Sequence, residues 1–140
     1  MKLSAAMFLG LSLPMLTASP AWAEEPIDTV QSIIQSQIAA FLNHDAKSAY
    51  AFASPSVRDR FPTEDAFFDM VKKNYAPVFR PGHVAFGRSK VQGDTVVQEV
   101  LISGPGGKDW TAFYQLVKQP DGSYKINGVH MVHAAPGPEI

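Results

Sequence analysis

The sequence predicts an α+β fold, with three N-terminal helices packed on a curved antiparallel sheet of four strands that closes into a cone. Three observations carry this. Apolar residues recur at spacings of three and four from Ile27 to about Tyr75, then at every second position from Val84 onward. Residues 109–133, DWTAFYQLVKQPDGSYKINGVHMVH, read as two strands joined by a tight turn at Pro120-Asp121-Gly122-Ser123. Helices segregated before an antiparallel sheet point to α+β, and a bent sheet covered on one side has an open end that makes a natural pocket.

The first helix opens at Glu24-Glu25-Pro26, acids beside the positive helix end and proline in the first turn. Ile27, Val30, Ile34, Ile38 and Phe41 form its apolar face, with Gln31, Gln35 and Gln37 placed largely elsewhere. Asn43-His44 breaks it. Asp45 caps a second helix over Ala46 to about Ala53, ended by Ser54-Pro55. Ser56 to Phe61 makes a single helical turn. Thr63 caps the third helix, whose apolar face is Phe67, Phe68, Val71 and Tyr75, and Pro77 stops it before a loop from Val78 to His83. Strands follow over Val84 to Val91 and Thr95 to Ser103, turned by Gly93-Asp94, and Gly104 to Gly107 leads into the hairpin. In the hairpin Trp110, Ala112, Tyr114 and Leu116 share one face, and Tyr124, Ile126, Gly128 and His130 restart a period of two.

The chain has 140 residues, of which the first 23 read as a cleaved signal peptide. Lys2 is its positive region, Leu3 to Thr17 its apolar run, and Ala21-Trp22-Ala23 its cleavage pattern. The run, broken by Pro14, is too short to span a bilayer, so no membrane insertion is expected after cleavage. Residues 24–133 form one domain and residues 134–140 a flexible Pro/Gly tail. Without Lys2, 11 basic residues stand against 13 acidic ones and Lys72-Lys73 is the only basic pair, which argues against nucleic acid as a partner. The chain has no cysteine, hence no disulfide. The expected location is periplasmic or secreted.

Several strings resemble a bacterial family known as domain-of-unknown-function family 4864: IQSQIAAFLNHDAKSAY at 34–50, Ala53-Ser54-Pro55, Phe61-Pro62, Tyr75-Ala76-Pro77-Val78, Trp110 to Tyr114 and Asp121 to Gly128. The similarity covers roughly residues 27 to 133. The order of elements resembles the nuclear-transport-factor-2-like, or SnoaL-like, superfamily, which implies a helix-filled cone and a homodimer through the sheet. That superfamily includes isomerases, dehydratases, cyclases and binding proteins, so the fold does not settle a function. The close family carries no assigned activity.

Enzymes on such a cone are similar in using an Asp, His or Tyr inside the pocket as acid or base, and here His130, Tyr114, Tyr50, Tyr75, His83 and Asp69 are the residues of that type. His130 shares parity with Ile126 and Val132, which points it inward, while a bulge at Gly128 would shift it. Tyr114, with Trp110, is a core aromatic whose hydroxyl needs a partner. Tyr50 and Tyr75 are helix-face aromatics, Asp69 belongs to a solvated helix face, and Arg80 and His83 lie on the loop at the cone mouth. His130 and His133, three apart on a strand, point to opposite faces, so no metal site is expected, nor any cofactor. His44-Asp45 is explained by capping. No nucleophile elbow, phosphate loop or paired-carboxylate pattern is present.

The reading that follows is a small-molecule-binding or protein-interaction module. A small apolar or aromatic ligand would lie among Tyr50, Tyr75, Trp110, Tyr114 and His130. The alternative is a cofactor-independent isomerase or dehydratase with His130 and Tyr114 as its acid/base pair.

Overall fold

The apolar stripe that begins at Ile27 becomes the longest helix among the described residues. The computed structural model describes residues 24–134 together with Gly10; the signal-peptide cleavage site and residues 135–140 of the expected C-terminal tail lie outside them. Helix α1 spans Glu24–Leu42, and Val30, Ile34, Ile38 and Phe41 on its stripe are buried. The break at His44 uses a positive φ of 53°, and the amides of Asn43, His44 and Asp45 turn back onto Ala39, Phe41 and Ala40 carbonyls. Asp45 then caps α2 (Ala46–Ala51), accepting from the Ser48 amide at 3.1 Å and the Ser48 hydroxyl at 2.6 Å. The Ser48 bonds hold the Asp45 carboxyl below its ordinary range.

Helices α3 (Pro55–Arg60) and α4 (Glu64–Asn74) follow, capped by the Ser54 and Thr63 hydroxyls. Two expectations are corrected here. The second helix ends at Ala51 because Phe52 and Ser54 bond to the sheet instead: the Ile126 amide donates to Phe52 O at 2.8 Å and the Ser54 amide to Ile126 O at 2.9 Å. The segment expected as a loop after Pro77 begins as a four-residue helix, α5 (Ala76–Phe79). Pro77 there sits in the first turn, where its missing N–H costs nothing, and Pro77, Val78 and Phe79 are buried. Phe79 closes an aromatic cluster with Phe41 and Phe68 at centroid distances of 5.8 and 5.0 Å.

The four strands, β1 (Val84–Gln92), β2 (Thr95–Ser103), β3 (Asp109–Lys118) and β4 (Tyr124–His133), form one antiparallel meander in that order. Val96, Gln98, Val100 and Ile102 of β2 are buried beneath the helices, as are Ala112, Tyr114 and Leu116 of β3. The fold class is the expected one, with five α-helices among the described residues in place of three.

Two bulges bend the sheet. In β1, Phe86 pairs with Val100 and Ser89 with Gln98, so Gly87 and Arg88 together oppose Glu99. A Cβ at Gly87 would lie 3.1 Å from the Glu99 carboxyl carbon, so a side chain there would displace the Glu99 side chain. The fully buried Gln98 satisfies the bulge from beneath. Its amide nitrogen donates to Glu99 O at 2.9 Å, Arg88 O at 3.3 Å and Gly87 O at 3.4 Å, while its oxygen accepts from Gln31 at 3.2 Å and from the Ser89 hydroxyl. In β4, Gln115 pairs with Gly128 but Leu116 with Ile126, leaving Asn127 as the extra residue.

Leucine at position 98 would keep the volume and strand the partners of that amide. Gln98→Leu is therefore expected to lower stability by about 2 kcal/mol, read as a lower urea midpoint at unchanged slope. A midpoint within error of the parent would show that the amide network carries no net stability.

Candidate functional site

The bulge at Asn127 opens a cavity beside it. About 140 Å³ of space lies between α1, α3, α4, α5 and the start of the second half of β4. Its walls are apolar: Phe41, Val57, Phe61 and Phe67, with Met70, Val71, Val78 and Val129. Three polar side chains reach it. Gln37 of α1 is 3% exposed, and its amide nitrogen donates to Ala49 O at 3.1 Å, which orients its oxygen. Tyr75 lines the wall at the start of α5, and Arg60, the last residue of α3, is the one exposed member of the lining. Among the described residues no Asp, Glu or His borders this space.

The sequence-derived candidates divide between several places. Tyr75 lines the cavity. Tyr50 stands behind it: its hydroxyl donates to Phe61 O at 2.7 Å, its ring lies 5.6 Å from Phe67, and the Arg58 guanidinium covers it at 4.9 Å. It shapes the wall and does not face the space. Trp110 packs instead on His133 at 3.7 Å between centroids, beside a shallow surface groove that includes His83. Asp69 is exposed and pairs with Lys73 at 2.8 Å.

His130 is corrected outright. The extra residue at Asn127 shifts parity, so Val129, Met131 and His133 pair with Tyr114, Ala112 and Trp110 on the inner side, while Gly128, His130 and Val132 turn outward. His130 is exposed and stands opposite Phe113 on the outer face. Tyr114 is fully buried on the inner face, so the two lie on opposite sides of the sheet and do not form an acid/base pair. The Tyr114 hydroxyl has no hydrogen-bond partner among the described residues, and burial pushes its pKa far above the ordinary 10.0. Among the described residues no cluster of three His, Cys, Asp or Glu is placed to hold a metal, and no helix is long and apolar enough to cross a membrane.

Gln37, Arg60, Phe61 and Val129 were not singled out from the sequence. Gln37 carried a signal, since it lies three residues after Ile34 and four before Phe41, on the buried stripe itself. Val129 became inward-facing only through the bulge.

A sequence model of the family described as "Domain of unknown function (DUF4864)" matches residues 23–139. The chain belongs to the DUF4864 family. Among solved structures, it is similar to an NTF-2-like protein of unknown function from Silicibacter pomeroyi DSS-3, at 17% identity and a TM-score of 0.56, covering 79% of this chain and 98% of that one. That likeness gives the DUF4864 chain an NTF-2-like fold. A de novo designed β-sheet protein of cystatin fold matches at 18% identity and a TM-score of 0.35, over 59% of this chain and 99% of its own, a likeness too slight to carry an argument. No curated protein matches the chain.

A buried hydroxyl without a partner destabilises, so Tyr114→Phe is expected to raise stability by about 1 kcal/mol. The pH dependence has a definite sign. Below the ordinary pKa of 10.0 both states keep the proton. Above it the unfolded chain loses the proton and the folded one keeps it, so stability falls by about 1.4 kcal/mol per pH unit from this residue. Urea melts between pH 8 and about pH 11 should show that component in the parent and not in Tyr114→Phe; equal slopes would mean the hydroxyl titrates freely.

Proposed function

We propose that this protein is a small-molecule-binding module whose ligand occupies the cavity beside the β4 bulge. The observation that carries the reading is the cavity itself, walled mostly by apolar side chains and open at the Arg60 end. Its 140 Å³ is close to that of an engineered cavity of about 150 Å³ that takes up benzene. The ligand, or the part of it that enters, is then a single ring or a short branched chain, held by shape and oriented by Gln37 and Tyr75. An isomerase or dehydratase in the same space would find no carboxylate or imidazole in its walls among the described residues, which places it second. The leader-like residues 1–23 support export, and an intact mass beginning at Glu24 in the secreted fraction would establish it.

A second reading, that the protein is also a homodimer, is favoured by the outer sheet face. Leu101 is 43% exposed there, Val97, Phe113 and Val132 are half-buried, and Phe113 stands between Glu99 and His130 across the strands. A two-fold axis along β3 would set Glu99 of each copy over His130 of the other. Leu101→Glu should then convert a dimer to a monomer in sedimentation at micromolar concentration; a parent already monomeric there would end this reading.

Filling the cavity separates binding from folding. Toluene at a hundred times its Kd would add about 2.7 kcal/mol to the stability of the parent, a rise of several degrees in Tm. Val129→Trp places an indole in the same space and should abolish that rise while the protein stays folded. A Trp variant that still responds to toluene would move the site elsewhere.

A further inference from the structure

We propose that the ligand is an apolar anion, a small hydrophobic carboxylate whose ring or chain fills the void and whose acid group meets Arg60. This rests on the cavity reading above and names the class of molecule it would select.

Among the described residues Arg60 is the sole charged one lining the cavity, and its exposure places it at the mouth. No carboxylate lies within ion-pair distance of it among the described residues, where the one ion pair is Lys73 with Asp69. Its neighbour Arg58 is already committed, covering the Tyr50 ring and donating to Tyr50 O at 3.2 Å and Ala51 O at 3.1 Å. Of the two cations at the end of α3, one is used by the fold and the other has no partner among the described residues. The rim is also fixed in place, because the Tyr50 hydroxyl holds the carbonyl of the adjacent Phe61.

The energetics select the head group. A guanidinium presents a planar fork that two carboxylate oxygens match. At a mouth still open to water, neither charge has to be fully desolvated, so the pair escapes the cost that makes deep ion pairs unprofitable. A cationic head group would meet Arg60 with like charge and no compensating acid. A neutral ring fills the void equally well but leaves the guanidinium with water.

Benzoate and benzyl alcohol share a ring and differ in charge, so their affinities can be compared by calorimetry at neutral pH. The parent should bind benzoate about tenfold or more tightly than benzyl alcohol, with the preference falling as salt is raised. Arg60→Gln should lose the preference while keeping its affinity for benzyl alcohol, and Arg60→Lys should retain part of it. Equal affinity of the parent for both probes would overturn the anion inference and leave the cavity reading standing. So would an Arg60→Gln protein that remains folded and loses both probes alike. A parent that binds neither probe overturns the cavity reading and this inference with it.

Discussion

The attachment of the α2–α3 junction to β4 is the constraint on which the rest of this structure depends. Phe52 and Ser54 pair with Ile126 through their backbones, and the Ser54 hydroxyl donates to the Asn127 side chain at 2.9 Å. Asn127 in turn donates to Gln115 on the neighbouring strand at 3.1 Å. A residue that would be a ladder defect is thus bonded on both sides, to the helices and to the sheet. Ser54 also caps α3, so one hydroxyl starts a helix and anchors the bulge. From this point β4 reverses parity, α3 is carried across the helix layer, and Arg60 and Phe61 arrive over Val129.

Polar groups inside the molecule divide into two kinds. Gln98, Gln37 and Ser54 are buried with partners, and each fixes a place where regular structure is interrupted: the β1 bulge, the α1–α2 contact and the β4 bulge. Burying an amide is favourable only when its bonds are remade, so these residues hold elements in one arrangement. Tyr114 is the other kind, a large aromatic whose ring fills the core and whose hydroxyl gains nothing there. Ring burial outweighs the stranded hydroxyl, since an aromatic side chain contributes several kcal/mol of packing against a penalty of roughly 1–3 kcal/mol.

The parts legible in the sequence are those set by local chemistry. The stripe on α1, the caps at Asp45 and Thr63, and the turns at Gly93 and Gly122 each follow from neighbouring residues, as does the inner row of β3. The parts that were not legible depend on distant pairing. The second helix is cut short by Ile126, 74 positions from Phe52 in the chain. His130 is turned outward by one extra residue whose placement is secured by Ser54, a side chain with |i−j| of 73 from Asn127. A period-two count cannot register that shift, and it moved every candidate downstream of it. Gln37 was misplaced for a different reason: glutamine reads as solvent-facing, and only its interval from Ile34 and Phe41 says otherwise.

The position of the void then follows from geometry. Helices pack on a regular strand with side chains interdigitating at constant depth, but a bulge turns the strand away from the layer above it. Directly after Asn127 the sheet offers Gly128, with no side chain, and Val129, too short to reach Phe67 and Val71 across the gap. A space walled mostly by apolar side chains holds water poorly except at its mouth beside Arg60. One larger side chain at position 71 or 129 would fill much of it. The chain has valine at both positions, so the bulge and two short side chains together leave the space where it lies.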